Sequence, residues 1–120
     1  MVDFETVRAL AITLPRTTEA YVRGRAKFRV RQIVYLAFSR DLTVMEFAFP
    51  RDWRPVVVEA EPHKFMLPKP SDMRYNWLRV RLSAIDEDEM RDLVLDAWKM
   101  VVPKSVADAY DEAAQISAGH

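Results

Sequence analysis

The segment Arg23-Gly24-Arg25-Ala26-Lys27-Phe28-Arg29-Val30-Arg31 places a cation at every odd position and a small or apolar residue at every even one. In an extended strand all five cations share one face, spaced by about 6.6 Å. That pitch is close to the separation of successive phosphates along a nucleic-acid backbone, so the ladder could follow a backbone without reading bases. The binding expected of it is sequence-tolerant and sensitive to salt. The same pattern also suits the solvated face of an edge strand, where Lys and Arg deter aggregation. Pairing with Glu46 or Glu19 would neutralise part of the charge, and Arg23-Gly24 is also compatible with the preceding turn.

A second constellation is Tyr75, Trp77, Arg79 and Arg81 at alternate positions. Aromatics interleaved with arginines suit a surface that stacks bases or clamps an anion. The competing reading packs Trp77 under a helix and pairs the arginines with the acids between Asp86 and Asp96. If both ladders face the same side, their charges add.

Other chemistry finds less support. Asp88, Asp92 and Asp96 recur on one helix face, where paired carboxylates could hold a divalent cation, but acids at a helix start are favoured by capping and the dipole alone. The expectation is no metal site and no cofactor. His63 and His120 lack metal-ligand spacing, no GxSxG elbow is present, and the two glycines cannot build a phosphate-cradling loop. Ser39, Ser71, Ser83 and Ser105 have no base nearby in sequence. The expectation is a binding module and not an enzyme. Met45, Met66, Met73, Met90 and Met100, with Trp53 and Trp98, could line a small-molecule pocket, although their spacing better suits core filling.

These residues need elements to position them. Asp3 caps a helix through Leu14, with Phe4, Val7, Leu10 and Ala11 as its apolar stripe, and Leu14-Pro15 ends it. Thr17-Thr18-Glu19 reads as loop or turn. Strands are expected at 25–30, 33–39 and 43–49, the second apolar on both faces and therefore central. A short helix starts at Asp52-Trp53-Arg54-Pro55, an extended piece covers 64–67, and 75–82 forms a strand with Asn76, Leu78, Val80 and Leu82 on its other face. Asp86 and Glu89 match a capping box, flanked by Ile85 and Met90 as a hydrophobic staple. Met90, Leu93, Val94, Ala97 and Val101 form the buried stripe of that helix. Pro103 stops it and opens a last helix to about Gln115, with Val106, Tyr110 and Ala113 inward and 116–120 frayed.

With 120 residues, half of them hydrophobic, the chain is sized for one domain with a proper core. It has no cysteine, which removes disulfides and thiolate chemistry and is compatible with a reducing cytosol. The acids in Met1-Val2-Asp3-Phe4-Glu5 do not suit a secretory signal, and charges interrupt every apolar run, so a soluble cytoplasmic protein without a membrane span is expected. The net charge is zero but polarised: residues 1–82 hold fifteen Lys/Arg and nine Asp/Glu, and residues 83–120 hold three and nine.

Leu14-Pro15 with Glu19, then Phe28 and Val30, Glu61-Pro62 with Phe65, Trp77-Leu78-Arg79-Val80-Arg81-Leu82, Asp86, Asp96-Ala97-Trp98 and Pro103-Lys104 occur in an order that resembles the MmcQ/YjbR family of small bacterial proteins. The resemblance spans nearly the whole chain. It implies an α+β domain over 1–120, an antiparallel sheet backed by an N-terminal helix and two C-terminal helices, similar in outline to CyaY-like folds. It also implies a nucleic-acid partner, DNA more than RNA, since members are commonly labelled DNA-binding. On that reading the site residues are Arg23, Arg25, Lys27, Arg29, Arg31, Trp77, Arg79 and Arg81. A protein-protein adaptor and a small-ligand-binding domain stay open as alternatives. Many relatives carry Gly-Lys where this chain reads Arg31-Gln32, so no role of that lysine transfers.

Overall fold

The computed structural model describes residues 2–118. The chain runs α1 (Phe4–Ala11), β1 (Thr17–Val22), β2 (Arg25–Val30), β3 (Ile33–Phe38), β4 (Val44–Ala48), α2 (Arg54–Ala60), β5 (Phe65–Met66), β6 (Trp77–Arg81), α3 (Glu87–Lys99) and α4 (Lys104–Ala118). Short 3-10 turns occupy Arg51–Trp53, Pro70–Asp72 and Leu82–Ala84. The strands make one six-stranded sheet in the order β1-β2-β3-β4-β6-β5, with every neighbouring pair antiparallel. This is the α+β architecture expected from the sequence.

Alternation decides which side of the sheet is closed. Ala26, Phe28 and Val30 of β2, Met45 and Phe47 of β4, and Leu78 and Val80 of β6 are buried with Met90, Val94, Ala97 and Trp98 of α3. From α1, Phe4 joins Phe28 in packing around Phe38, both rings edge-on to it with centroids 4.9 and 6.1 Å away. The Trp98 indole donates to the Pro15 carbonyl at 3.0 Å, which ties the end of α3 to the loop after α1. Met45, Met90 and Trp98 are core, whereas Met100 and Trp53 are exposed.

Both main caps form. The Asp3 carboxylate accepts from the Thr6 amide at 2.9 Å, and the Asp86 carboxylate accepts from the Glu89 amide at 2.8 Å. The return half of the second box does not form, because the Glu89 carboxylate accepts from Lys64 Nζ at 2.8 Å instead. Helix α1 stops at Ala11, short of Leu14, and Leu14 is instead buried in the turn that follows. In α4, Ala107 is buried and Tyr110 packs on Trp98, but Ala113 is exposed. The helix continues to Ala118 where fraying was expected, and residues 119–120 lie outside the described residues.

Thr17-Thr18-Glu19, expected as loop or turn, instead begins the edge strand β1, Thr17–Val22. It pairs with the whole of β2 from Thr17↔Val30 to Val22↔Arg25. Strand β3 is irregular: its pairing with β2 shifts register between Phe28 and Arg29, leaving Tyr35 without a direct partner. Tyr35 and Leu36 are consequently both fully buried, and the Tyr35 hydroxyl lies 2.8 Å from Thr17 Oγ1. Burial pushes the Tyr35 phenol up to about 12, so it stays neutral in the folded protein.

Arg54, which sequence reasoning placed only as part of a helix start, is 5% exposed. Its guanidinium donates to the backbone carbonyls of Met73, Tyr75 and Trp77, and so pins the segment leading into β6. Replacing it removes three charge-assisted bonds and leaves those carbonyls to find new donors. Arg54→Met is expected to lower stability by about 2–4 kcal/mol, read from urea unfolding at constant m-value. A loss below about 0.5 kcal/mol would mean that water replaces the clamp at no net cost.

Candidate functional site on the open sheet face

Helix α3 packs on the side of the sheet that holds the buried strand residues, and alternation sends the strand cations to the other side. In β2 the residues opposite to the buried set are Arg25, Lys27 and Arg29; in β6 they are Trp77, Arg79 and Arg81. Both ladders therefore face the same side. Register aligns them in a cross-strand row, Ala20-Lys27-Ala37-Glu46-Arg79-Met66, running across all six strands. Lys27 and Arg79 stand three strand spacings apart, about 14 Å.

The outer members of the first ladder are not strand residues. Arg23 and Gly24 form the two-residue turn between Val22 and Arg25, both with positive φ (54° and 76°), as a type I′ hairpin requires. Arg31 lies in the next turn with φ 56°. The five-rung ladder is thus corrected to three rungs, with Arg23 and Arg31 at opposite turns. Tyr75 likewise precedes β6, where Arg74 lies over its ring at 4.8 Å.

What the ladder loses, the turns supply. A depression of about 880 Å³ on this face is lined by Arg23, Arg25, Lys27, Arg40, Lys69 and Arg79, against Asp41, Glu46 and Asp72. Arg40 comes from the turn after β3. Asp41 orders that turn by accepting from Ser39 Oγ and Thr43 Oγ1, both at 2.7 Å, and from the Thr43 amide at 3.1 Å. Those bonds hold the Asp41 carboxyl below the ordinary range, so it stays ionised and self-satisfied. Lys69 stands just before the 3-10 turn that carries Asp72. Sequence reasoning missed Arg40 and Lys69, because nothing short of the topology brings those turns to one face.

The expected neutralisation of the ladder is partial. Glu19 faces the other way and is held by Arg8 Nε at 2.9 Å, so it takes no charge from β2. Glu46 does approach Arg25, at 3.9 Å from one guanidinium nitrogen, while Arg25 Nε donates to the Phe38 carbonyl at 2.9 Å. Arg79 and Arg81 engage backbone carbonyls, Leu67 and His63 respectively, at 2.9 and 3.0 Å. Carbonyls orient a guanidinium without cancelling its charge. The acids of α3, proposed as partners for Arg79 and Arg81, belong to the helix layer on the opposite side, where Glu89 pairs with Lys64. Among the described residues, Lys27, Arg29, Arg23 and Arg31 have no carboxylate within ion-pair distance.

Glu46 is the unusual group. It sits in the row between Ala37 and Arg79, its side chain only 13% exposed, and accepts no hydrogen bond from the described residues. Burial, then repulsion from Asp72, raises its carboxyl, while Arg25, Arg79 and Lys69 pull it back. Among the described residues, no three His, Asp or Glu side chains converge to hold a metal ion, and no helix is long and apolar enough to cross a membrane.

A search of curated proteins gives no match. Among solved structures, the chain is similar to the crystal structure of a Deinococcus radiodurans protein with a DUF419 domain, at TM-score 0.72 and 14% identity, covering 88% of this chain and 82% of that one. At that identity the likeness concerns the fold. The YjbR family model matches residues 12–100, the span that holds the whole sheet with α2 and α3. The chain belongs to the YjbR family.

Proposed function

We propose that the open sheet face binds nucleic acid through its backbone, tolerating many sequences. The observation that carries this reading is convergence: six cations from β2, β6 and three connecting segments surround one depression that contains three acids. Fixed cations in a rigid frame attract a polyanion and release its counterions. The lining holds no Asn or Gln, and its Arg and Lys side chains can all serve phosphates, which favours backbone contact. DNA over RNA follows the expectation attached to the family resemblance, and a cytoplasmic location goes with it.

Local backbone geometry adds support. Arg23, which lines the depression, adopts positive φ, a region that favours Gly or Asn. A side chain kept where a smaller one would be more stable suggests that its charge matters elsewhere. One observation favours a second reading: a depression of about 880 Å³ falls within the size range of small-molecule sites. A small anionic ligand would compete fully with an oligonucleotide at millimolar concentration and would make affinity independent of strand length.

Fluorescence anisotropy should give a Kd of about 10⁻⁴–10⁻⁶ M for mixed-sequence oligonucleotides near physiological salt. Replacing Arg25, Lys27 and Arg79 together by Ala should cut the slope of log K against log salt by about 2. Absence of binding at low salt, or a slope left unchanged by the triple variant, would refute the reading. Arg23→Asn should separate the two demands on the turn, raising stability by about 0.5–1 kcal/mol while weakening binding. An Asn variant that is more stable and binds equally well would remove Arg23 from the interface.

A further inference from the structure

We infer that the face takes a single strand with a base turned inward, and that Glu46 accepts a hydrogen bond from the amino group of that base. The inference rests on the nucleic-acid reading and goes on to name the form and the base class.

A polyanion binder gains nothing from a carboxylate at the centre of its binding surface. Here the carboxylate lies in the floor, with Arg23 and Arg40 from the turns at one end and Lys69 and Arg79 beyond it. Phosphates repelled by Glu46 can follow only the cationic rim. The floor is then left for a neutral group that donates, because an ionised carboxylate can only accept. Its lone pairs are open: the Arg25 contact, at 3.9 Å, is too long for a hydrogen bond, and no other described donor reaches it.

The surroundings suit a flat ring. Val44 and Met66 line the depression, and the Ala37 methyl separates Lys27 from Glu46 in the row, so no bulky side chain fills the space between them. Within a duplex, amino groups are shared with the paired base and lie in the grooves, where a floor carboxylate below a cationic rim does not reach them. A splayed single strand presents that edge freely. Carboxylates accept from the cytosine amino group in known base contacts, and adenine offers an equivalent donor. Uracil and thymine place a carbonyl oxygen at the same point and meet repulsion.

The test compares oligo(dC) with oligo(dU) of equal length, about 12 nucleotides, at pH 7.5 against the full chain and Glu46→Gln. The two oligomers share a backbone and a pyrimidine ring. Oligo(dC) should bind about ten-fold more tightly than oligo(dU). In Glu46→Gln, with an unchanged circular dichroism spectrum, oligo(dU) should tighten and the preference should shrink toward one. Equal binding of both oligomers by the native chain would overturn this inference and leave the nucleic-acid reading intact. So would a preference that survives in Glu46→Gln, or tighter binding of a duplex of the same length. No binding of any oligomer would overturn both.

Discussion

A strand that alternates Ala26, Phe28 and Val30 with Arg25, Lys27 and Arg29 can bury only one of its faces. Desolvating three cations would cost several kcal/mol each, so the side that receives the helices is fixed by β2. Strand β6 repeats the constraint with Leu78 and Val80 against Arg79 and Arg81. With α1 and α3 committed to the apolar side, every remaining cation of these strands is left on the other. The one-sidedness of the sheet is therefore the origin of both the core and the candidate site.

That constraint also converts a polarity along the chain into a polarity through the molecule. The acids of the last third sit on α3 and α4, where some are paired with Lys64, Lys99 and Lys104. The cations of β2 and β6 sit across the sheet from them. A net charge of zero conceals this, because opposite fields on two faces cancel only in the sum. Screening over roughly 8 Å at physiological salt keeps the two faces distinct to an approaching ligand.

Much of the architecture was legible where a local pattern and its tertiary role coincide. Period-two alternation located β2, β4 and β6, and the capping residues Asp3 and Asp86 located α1 and α3. Strand β1 was hidden because Thr17–Val22, at the sheet edge, carries no alternation of burial. The turn at Arg23-Gly24, closing a hairpin between Val22 and Arg25, was the available signal. The irregularity at Tyr35 depends on pairing with β2, and the carbonyls that Arg54 holds lie about twenty residues away in sequence. In the site itself, alternation found the rungs but overextended them into the turns. Arg40, Lys69 and the floor position of Glu46 follow from a strand order of β4-β6-β5, which no short-range pattern encodes.

On the proposed reading, nucleic acid touches the protein at the open face. Backbone amide NMR during titration with a mixed-sequence single strand tests that directly. That reading predicts shifts gathered on residues 22–29, 39–46, 66–72 and 77–81, with α3 and α4 silent. Shifts gathered on the helix layer, or none at low salt, would contradict it.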